Sequence, residues 1–266
     1  MTDRPIIFSA PMIQALLDGR KTQTRRLVSG DVPAEPAIDD VRPRNVVRHP
    51  APYLDAYCGG RRTATNPRGM TDRWCWWTRD NRCGITFKVP YVPGDRLWVR
   101  ESCCGEELDS GQDGVRFAAD DAFLPIADTR DAADAWLALN HYRSGGKRSR
   151  RGKPVPSIHM PRWVSRLTLP VVSVRLQRLL DITEEDAEAE GVCHFAEQGH
   201  GAGSFEGLSG AERTARVCSI YGSCREAFRA LWESLHGPAS SNANPWVVAV
   251  GFDIHHANMD ALEAVM

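Results

Sequence analysis

The spacing of apolar residues near the start of the chain predicts a strand, a turn and a short helix. The run from Ile6 to Phe8 has the continuous apolar character of a buried strand. Pro11 stands where helices commonly start, and the apolar residues that follow keep helical spacing: Met12, Ala15 and Leu16. Gly19 is the expected terminator, because glycine readily takes the left-handed conformation just past a helix end.

The alternation after a Pro-Gly-Asp turn at 93–95 predicts a strand with two different faces. One face carries Leu97, Val99 and Glu101, and the other carries Trp98, Arg100 and Ser102. Glu101 therefore shares a face with two apolar residues. A carboxylate in that position is unusual.

The second half of the chain predicts further helices and strands in an irregular order. We expect a short helix over 131–140, one or two strands within 157–180, and a short acidic helix that Thr183 caps and Gly191 ends. An amphipathic helix over 223–236 and a final strand from Trp246 follow. Because strands and helices do not alternate regularly, the fold class predicted is α+β, built on a mainly antiparallel sheet or a small barrel.

Three long segments lack a clear period and are interpreted as surface insertions in one domain spanning 1–255. They cover about 29–92, 104–156 and 193–222, and a tail follows at 256–266. Within the second insertion, the basic residues at 147–153 fit either a mobile loop or an arm that follows phosphates.

Composition is that of an ordinary globular protein, with 42% apolar and 25% charged residues. Charge is nearly balanced, at 33 Lys plus Arg against 34 Asp plus Glu, so general affinity for polyanions is not expected. No apolar stretch has the length of a membrane span or of a secretory signal. We therefore expect a cytoplasmic protein that has no membrane partner and whose cysteines are mostly reduced.

Three cysteines leave a structural metal site open as an alternative. Cys58, Cys75 and Cys83, with His49 as a fourth ligand, could hold zinc, but no Cys-x-x-Cys pair is present. Small buried hydrophobic side chains are the favoured role for these cysteines. No metal and no cofactor are predicted.

The candidate chemistry lies in the stretch "GRKTQTRR" (19–26). A threonine hydroxyl such as that of Thr24 becomes a nucleophile only beside a base, and Lys21 can be that base if burial or neighbouring cations lower its pKa. A carboxyl group on an apolar face, such as Glu101, can donate a proton to a leaving nitrogen. Lys21 and Thr24 converge only if the backbone turns between them, so a solvated basic edge stays open on the residues alone.

Several blocks of the chain, in order, resemble the phage and prophage branch of the ASCH domain, a relative of the PUA RNA-binding fold. They are "FSAPMIQALLDGRKTQTRR", "PGDRLWVRES", "IHMPRWVSRLTL", "FRALWESLHGP" and "NPWVVAVGF". The resemblance implies a PUA-like β-barrel with peripheral helices and a cleft lined by the signature. In bacterial relatives that hydrolyse N4-acetylcytidine, the matching lysine, threonine and glutamate carry the chemistry, which here implies Lys21, Thr24 and Glu101.

The function expected from this resemblance is removal of an N-acyl group from a cytosine-type nucleoside, nucleotide or nucleic-acid base. Arg26 would polarise the carbonyl or bind a phosphate, and Trp98 or Trp163 would stack on the base. The alternative is a binding module for RNA or modified DNA, in which phosphates contact Arg25, Arg26, Arg100, Arg162 and the 147–153 segment. A nuclease ranks third.

Overall fold

The computed structural model describes residues 2–200, 205 and 207–263. Within them the chain forms eleven strands and seven α-helices. Residues 201–204 and 206, which belong to the predicted 193–222 insertion, and residues 264–266 of the predicted tail lie outside the described residues.

A mixed five-stranded sheet forms the centre of the molecule. In sheet order its strands are β1 (Asp3–Ile7), β6 (Arg96–Arg100), β10 (Thr168–Arg178), β11 (Trp246–Phe252) and β2 (Gln23–Leu27). β1 and β6 run parallel, and the other neighbouring pairs are antiparallel. β1 and β2 are the two edges of this sheet, with no ladder joining them among the described residues.

Two smaller antiparallel sheets lie within the predicted insertions. The first contains β3 (Tyr53–Ala56), β4 (Arg73–Trp77) and β5 (Phe87–Lys88). The second contains β7 (Cys103–Glu107), β8 (Asp113–Phe117) and β9 (Phe123–Pro125). The segments predicted to be insertions therefore carry regular structure of their own.

Seven helices pack around these sheets. They are α1 (Ala10–Leu17), α2 (Arg130–Asn140), α3 (Glu184–Ala189), α4 (Val192–His200), α5 (Gly210–Tyr221), α6 (Cys224–His236) and α7 (Met259–Glu263). The apolar faces of α1, α3, α4, α5 and α6 join the central sheet in one main core, while β7, β8 and α2 enclose a smaller one around Phe117. None of the described helices combines the length and apolar character needed to cross a bilayer.

The predicted α+β class is confirmed, whereas a closed barrel is not seen among the described strands. Several local signals behave as expected. Gly19 follows α1 with a φ of 69°, and the Thr183 side chain accepts a hydrogen bond from the Asp186 amide at the start of α3. Leu97, Val99 and Glu101 are all buried.

The segment 193–222, interpreted from the sequence as a surface insertion, is mostly helical in its described residues, which include most of α4 and all of α5. Ala196 and Val217 are fully buried in the main core, so tertiary packing offsets the low helix propensity of Gly199 in α4 and Gly210 in α5. Ser209 and Glu212 form a capping box that starts α5. The composition of a short segment does not reveal such packing.

The cysteine and tail expectations also need correction. Cys75 of β4 forms a disulfide with Cys83, which lies between β4 and β5, while Cys58 is an exposed free thiol. The described part of the chain holds no group of three or more histidine, cysteine or acidic side chains poised for a metal ion. The predicted tail contains α7, which Asp260 ties to Arg162 at 2.6 Å.

Candidate functional site

A cavity of about 450 Å³ opens between the two edges of the central sheet. We call it the edge cavity; its walls come from the end of β1, the start of α1, β2 and α6. Lys21, Thr24, Arg26 and Glu101 all line it. The structure thus brings together the three predicted catalytic residues and one of the predicted substrate-binding residues.

The turn after α1 directs Lys21 into this cavity. Gly19 takes positive φ, and the amides of Arg20 and Lys21 both donate to the Ala15 carbonyl, at 2.9 and 3.0 Å. β2 then begins at Gln23 and pairs with β11. Because the backbone turns before β2 starts, Lys21 and Thr24 can line the same wall, as the sequence hypothesis required.

Lys21 is buried, with only 2% of its surface exposed. Its Nζ donates to the backbone carbonyl of Glu190 at 2.7 Å and to Glu190 Oε2 at 2.8 Å. An ammonium group has three hydrogens, so these bonds leave one position on Nζ. In the neutral amine that position is the lone pair, which is what a base needs.

The surroundings of Lys21 favour loss of its proton, mainly because the side chain is buried. Three cations, Lys21, Arg25 and Arg175, contact only two carboxylates, Glu190 and Asp186. The cluster therefore carries one excess positive charge while the lysine is protonated. Burial is the main reason that the pKa of Lys21 is lowered, and Arg26 and Arg25 lower it further, while Glu190 opposes the shift.

Thr24 presents a hydroxyl that is free to react. It lies in β2 opposite Val250 of β11 and is 4% exposed. In the described part of the chain no hydrogen bond involves its Oγ1. Since neither Lys21 nor Glu101 bonds directly to it, any proton transfer between these groups needs a movement of the side chains or a bridging water.

Glu101 follows β6 and reaches the cavity from the opposite side. Both of its oxygens accept from Arg166, which donates from Nε to Oε1 and from Nη2 to Oε2, each at 2.8 Å. Burial nevertheless raises the pKa of Glu101, because desolvation outweighs the attraction of Arg166 and Asp120 adds repulsion.

Arg26 bridges the two edges of the sheet. Its Nη2 donates to the Ile7 carbonyl of β1 at 2.7 Å, and its guanidinium lies 5.1 Å from the centre of the Phe8 ring. Within the described residues no carboxylate pairs with it. Arg26 is thus a cation of the cavity that has no ion-pair partner there, which suits an oxygen of a bound molecule.

The other predicted substrate-binding residues do not line the edge cavity. On β6, the Arg100 guanidinium stacks on the Trp98 ring, 5.1 Å from the centre of that ring. Arg162 is tied to Asp3 and Asp260, and Trp163 lines a separate cavity of about 370 Å³. The aromatic rings at the edge cavity belong to other residues: Phe8, Phe228, Trp232 and His236.

The sequence reasoning missed the residues that hold the candidate catalytic groups. Glu190 and Arg166 bind Lys21 and Glu101, and Asp120 shares Arg166. Glu190 had a usable signal, since it ends the predicted acidic helix just before Gly191. Arg166 and Asp120 gave none, because only the folded chain brings them to Glu101.

The chain matches no protein-family model, no curated protein and no solved structure. The edge cavity and the residues that line it therefore carry the functional inference, together with the signature motif.

Proposed function

We propose that the protein is an amidohydrolase of the ASCH type that removes an N-acyl group from a cytosine-like base. The observation that carries this proposal is that Lys21, Thr24 and Glu101 line one cavity. Their surroundings lower the pKa of the lysine and raise that of the glutamate. Opposed shifts of this kind are the expected pattern for a base and an acid that act together.

In the first half of the reaction, neutral Lys21 takes the proton of Thr24 as Oγ1 attacks the acyl carbonyl carbon. The carbon–nitrogen bond then breaks, and protonated Glu101 gives its proton to the departing amine. Thr24 is left as an ester of the acyl group, Lys21 as an ammonium ion and Glu101 as a carboxylate.

In the second half, water attacks the ester carbonyl and Glu101 takes a proton from that water. The Lys21 ammonium returns its proton to the Thr24 oxygen as the ester bond breaks. The net reaction consumes one amide and one water and produces one amine and one carboxylic acid, and every side chain regains its starting state. Arg26 polarises the carbonyl oxygen during both attacks.

The size and lining of the edge cavity support a compact aromatic substrate. A volume of about 450 Å³ lies within the range typical of small-molecule sites. Phe8, Phe228 and Trp232 give aromatic walls, and rings of this kind hold a planar base by stacking. We also propose that the central sheet is related to the PUA-like fold. The support is that Arg26 of β2 donates to the Ile7 carbonyl of β1, which joins the two edges of the sheet across the cavity.

The proposal is tested by incubating the protein with N4-acetylcytidine and with its deoxy and nucleotide forms, and following loss of the acyl group by ultraviolet absorbance. Thr24→Val removes the hydroxyl without leaving a protein partner unpaired, so it should reduce kcat by at least about 10³-fold with little change in melting temperature. Thr24→Ser keeps a hydroxyl and should retain measurable turnover. Turnover by Thr24→Val at the wild-type rate would exclude Thr24 as the nucleophile.

One observation favours a second candidate, a module that binds a modified nucleoside or nucleic acid without turnover. Lys21 and Glu101 each bond to a protein partner rather than to Thr24, as residues with a structural role would. The two candidates differ in one experiment. Binding of N4-acetylcytidine by calorimetry with no loss of its acyl group would support the module and exclude the hydrolase.

A further inference from the structure

Arg166 binds two carboxylates at once. Its Nε and Nη2 donate to Glu101, while Nη1 donates to Asp120 Oδ2 at 2.8 Å and Nη2 to Asp120 Oδ1 at 3.0 Å. The guanidinium also stacks on the fully buried ring of Phe117, 4.1 Å from its centre. A guanidinium held on three sides has little freedom to follow either carboxylate.

This arrangement leaves one negative charge in excess. While Glu101 and Asp120 are both ionised, two carboxylates share one cation, so the group is neutral only when one of them carries a proton. Glu101 has 3% of its side chain exposed and Asp120 has 28%. Because desolvation penalises the charged form more strongly at the more buried site, the proton belongs on Glu101.

Asp120 is fixed by the segment that the sequence predicted to be an insertion. It lies between β8 and β9, where the neighbouring Ala119 carbonyl accepts a 2.6 Å hydrogen bond from Gln14 of α1. The Ala122 amide donates to Asp120 Oδ1 at 3.2 Å. These contacts hold the carboxylate against Arg166 on the side away from Glu101.

We propose that Asp120 is a positioning residue of the reaction: by occupying half of the Arg166 fork, it keeps Glu101 able to carry the proton that the leaving amine receives. This inference rests on the proposed function. It also gives the segment 104–156 a role, since that segment supplies both Asp120 and the Phe117 platform beneath Arg166.

The other ionisable groups near Glu101 are the same in every variant considered below. Cys103 lies two residues along the chain, and burial raises the pKa of its thiol to about 12, so it is neutral near pH 7. The ionisable groups that line the edge cavity around Glu101 are Lys21, Arg25, Arg26, Glu190 and His236.

The test compares Asp120→Asn with Asp121→Asn. Asp121 is a neighbouring carboxylate that is 76% exposed and contacts Arg116 and Arg151 but not Arg166, so it is a matched control. Removing the charge of Asp120 leaves Glu101 as the only carboxylate on Arg166. The limb of kcat/KM against pH that is set by the titration of Glu101 should move down by about one pH unit in Asp120→Asn and stay in place in Asp121→Asn.

Arg166→Gln provides the opposite change, because removal of the cation leaves Glu101 buried beside a negative charge. In this variant the limb set by Glu101 should move upward, and a purely structural defect would not shift the two variants in opposite directions. If that limb lies at the same pH in Asp120→Asn and in wild type, the inference is overturned.

A measurement without turnover separates this inference from the proposed function. The carboxyl resonance of Glu101, assigned by its loss in Glu101→Gln, can be titrated by ¹³C NMR in each protein. A lower midpoint in Asp120→Asn than in wild type supports the role of Asp120 even if no substrate is hydrolysed, a result that would exclude only the proposed function. An unchanged midpoint overturns the role of Asp120.

Discussion

When Lys21 is protonated, its buried charge is balanced mainly by one carboxylate, that of Glu190. Glu190 accepts two hydrogen bonds from its Nζ and at the same time pairs with Arg25 at 3.0 Å. Removal of one charged partner from such a buried group usually leaves the other charge uncompensated. Here Arg25 stays on Glu190 if Lys21 becomes neutral, so the lysine can lose its proton without leaving the carboxylate alone.

This arrangement predicts that Lys21 makes stability depend on pH. Its pKa is lower in the folded protein than in the unfolded chain, where it is about 10.4. Between the two values the unfolded chain binds the proton and the folded protein does not, so stability rises with pH across that window. The free energy of unfolding of wild type should therefore increase relative to Lys21→Met as the pH approaches about 10.4, and then level off.

Urea unfolding of both proteins at a series of pH values measures this difference directly. Lys88→Met is the control, because Lys88 has 61% of its side chain exposed and should show no such trend relative to wild type. A constant difference between wild type and Lys21→Met from pH 7 upward would mean that Lys21 keeps its proton in the folded state, which would argue against its role as the base.

Two glycines control how α1, α3 and β2 meet behind the edge cavity. Gly19 has a φ of 69° with open space where a Cβ would lie, whereas Gly191 has a φ of 83° and its Cβ would lie 3.0 Å from Ala15 Cβ and 3.3 Å from Lys21 Cβ. The two positions therefore separate backbone strain from contact with Lys21.

Gly19→Ala should cost about 1 kcal/mol of stability through backbone strain alone. Gly191→Ala adds a close contact with α1 and Lys21, so it should cost more and should also lower kcat by displacing the lysine. Urea unfolding and kinetics on the two variants test this difference. If the two variants lost the same amount of stability and the same amount of kcat, the close approach of Gly191 to Lys21 would have no importance.

Elements with strong local signals could be predicted from the sequence, and long-range partners could not. Pro11 and Gly19 bracket α1, Thr183 starts α3, and the alternation after Gly94 gives β6 with Glu101 on its buried side. These signals act over a few residues. The Lys21–Glu190 pair spans 169 positions, and no periodicity encodes a contact between residues so far apart.

The two residues expected to stack on the base, Trp98 and Trp163, do not line the edge cavity. Sequence composition does not say which wall of the fold a ring will reach. The cavity instead receives Trp232 from the buried face of α6. From the sequence, Trp232 is one residue of the amphipathic helix predicted over 223–236, and it is indeed buried on the inner face of that helix.

The distribution of charge over the molecule bears on the binding alternative. The net formal charge is −1, and acidic residues on or next to β7 and β8 pair with two arginines of the basic segment at 147–153. Arg148 pairs with Glu107 at 2.9 Å and with Asp113 at 3.3 Å, and Arg150 pairs with Asp109. A phosphate backbone would have to compete with these carboxylates for the two arginines.

We therefore expect weak binding of single-stranded oligonucleotides that depends little on salt. A protein that neutralises few phosphates should show a slope of log affinity against log salt of about −1 or shallower, because the slope scales with the number of counterions released, at about 0.7 per phosphate contact. Fluorescence anisotropy with a labelled RNA between low and moderate salt gives this slope.

A charge variant makes that measurement informative in both directions. Glu107→Gln combined with Asp113→Asn releases Arg148 from both partners without touching the edge cavity, so it should steepen the slope by about 0.7 if the segment can reach a strand. If wild type already binds tightly with a slope of about −4, several cations must be free for phosphates in solution despite the ion pairs of the folded chain. The binding module would then explain the protein better than the hydrolase, and the edge cavity would be one part of a longer nucleic-acid surface.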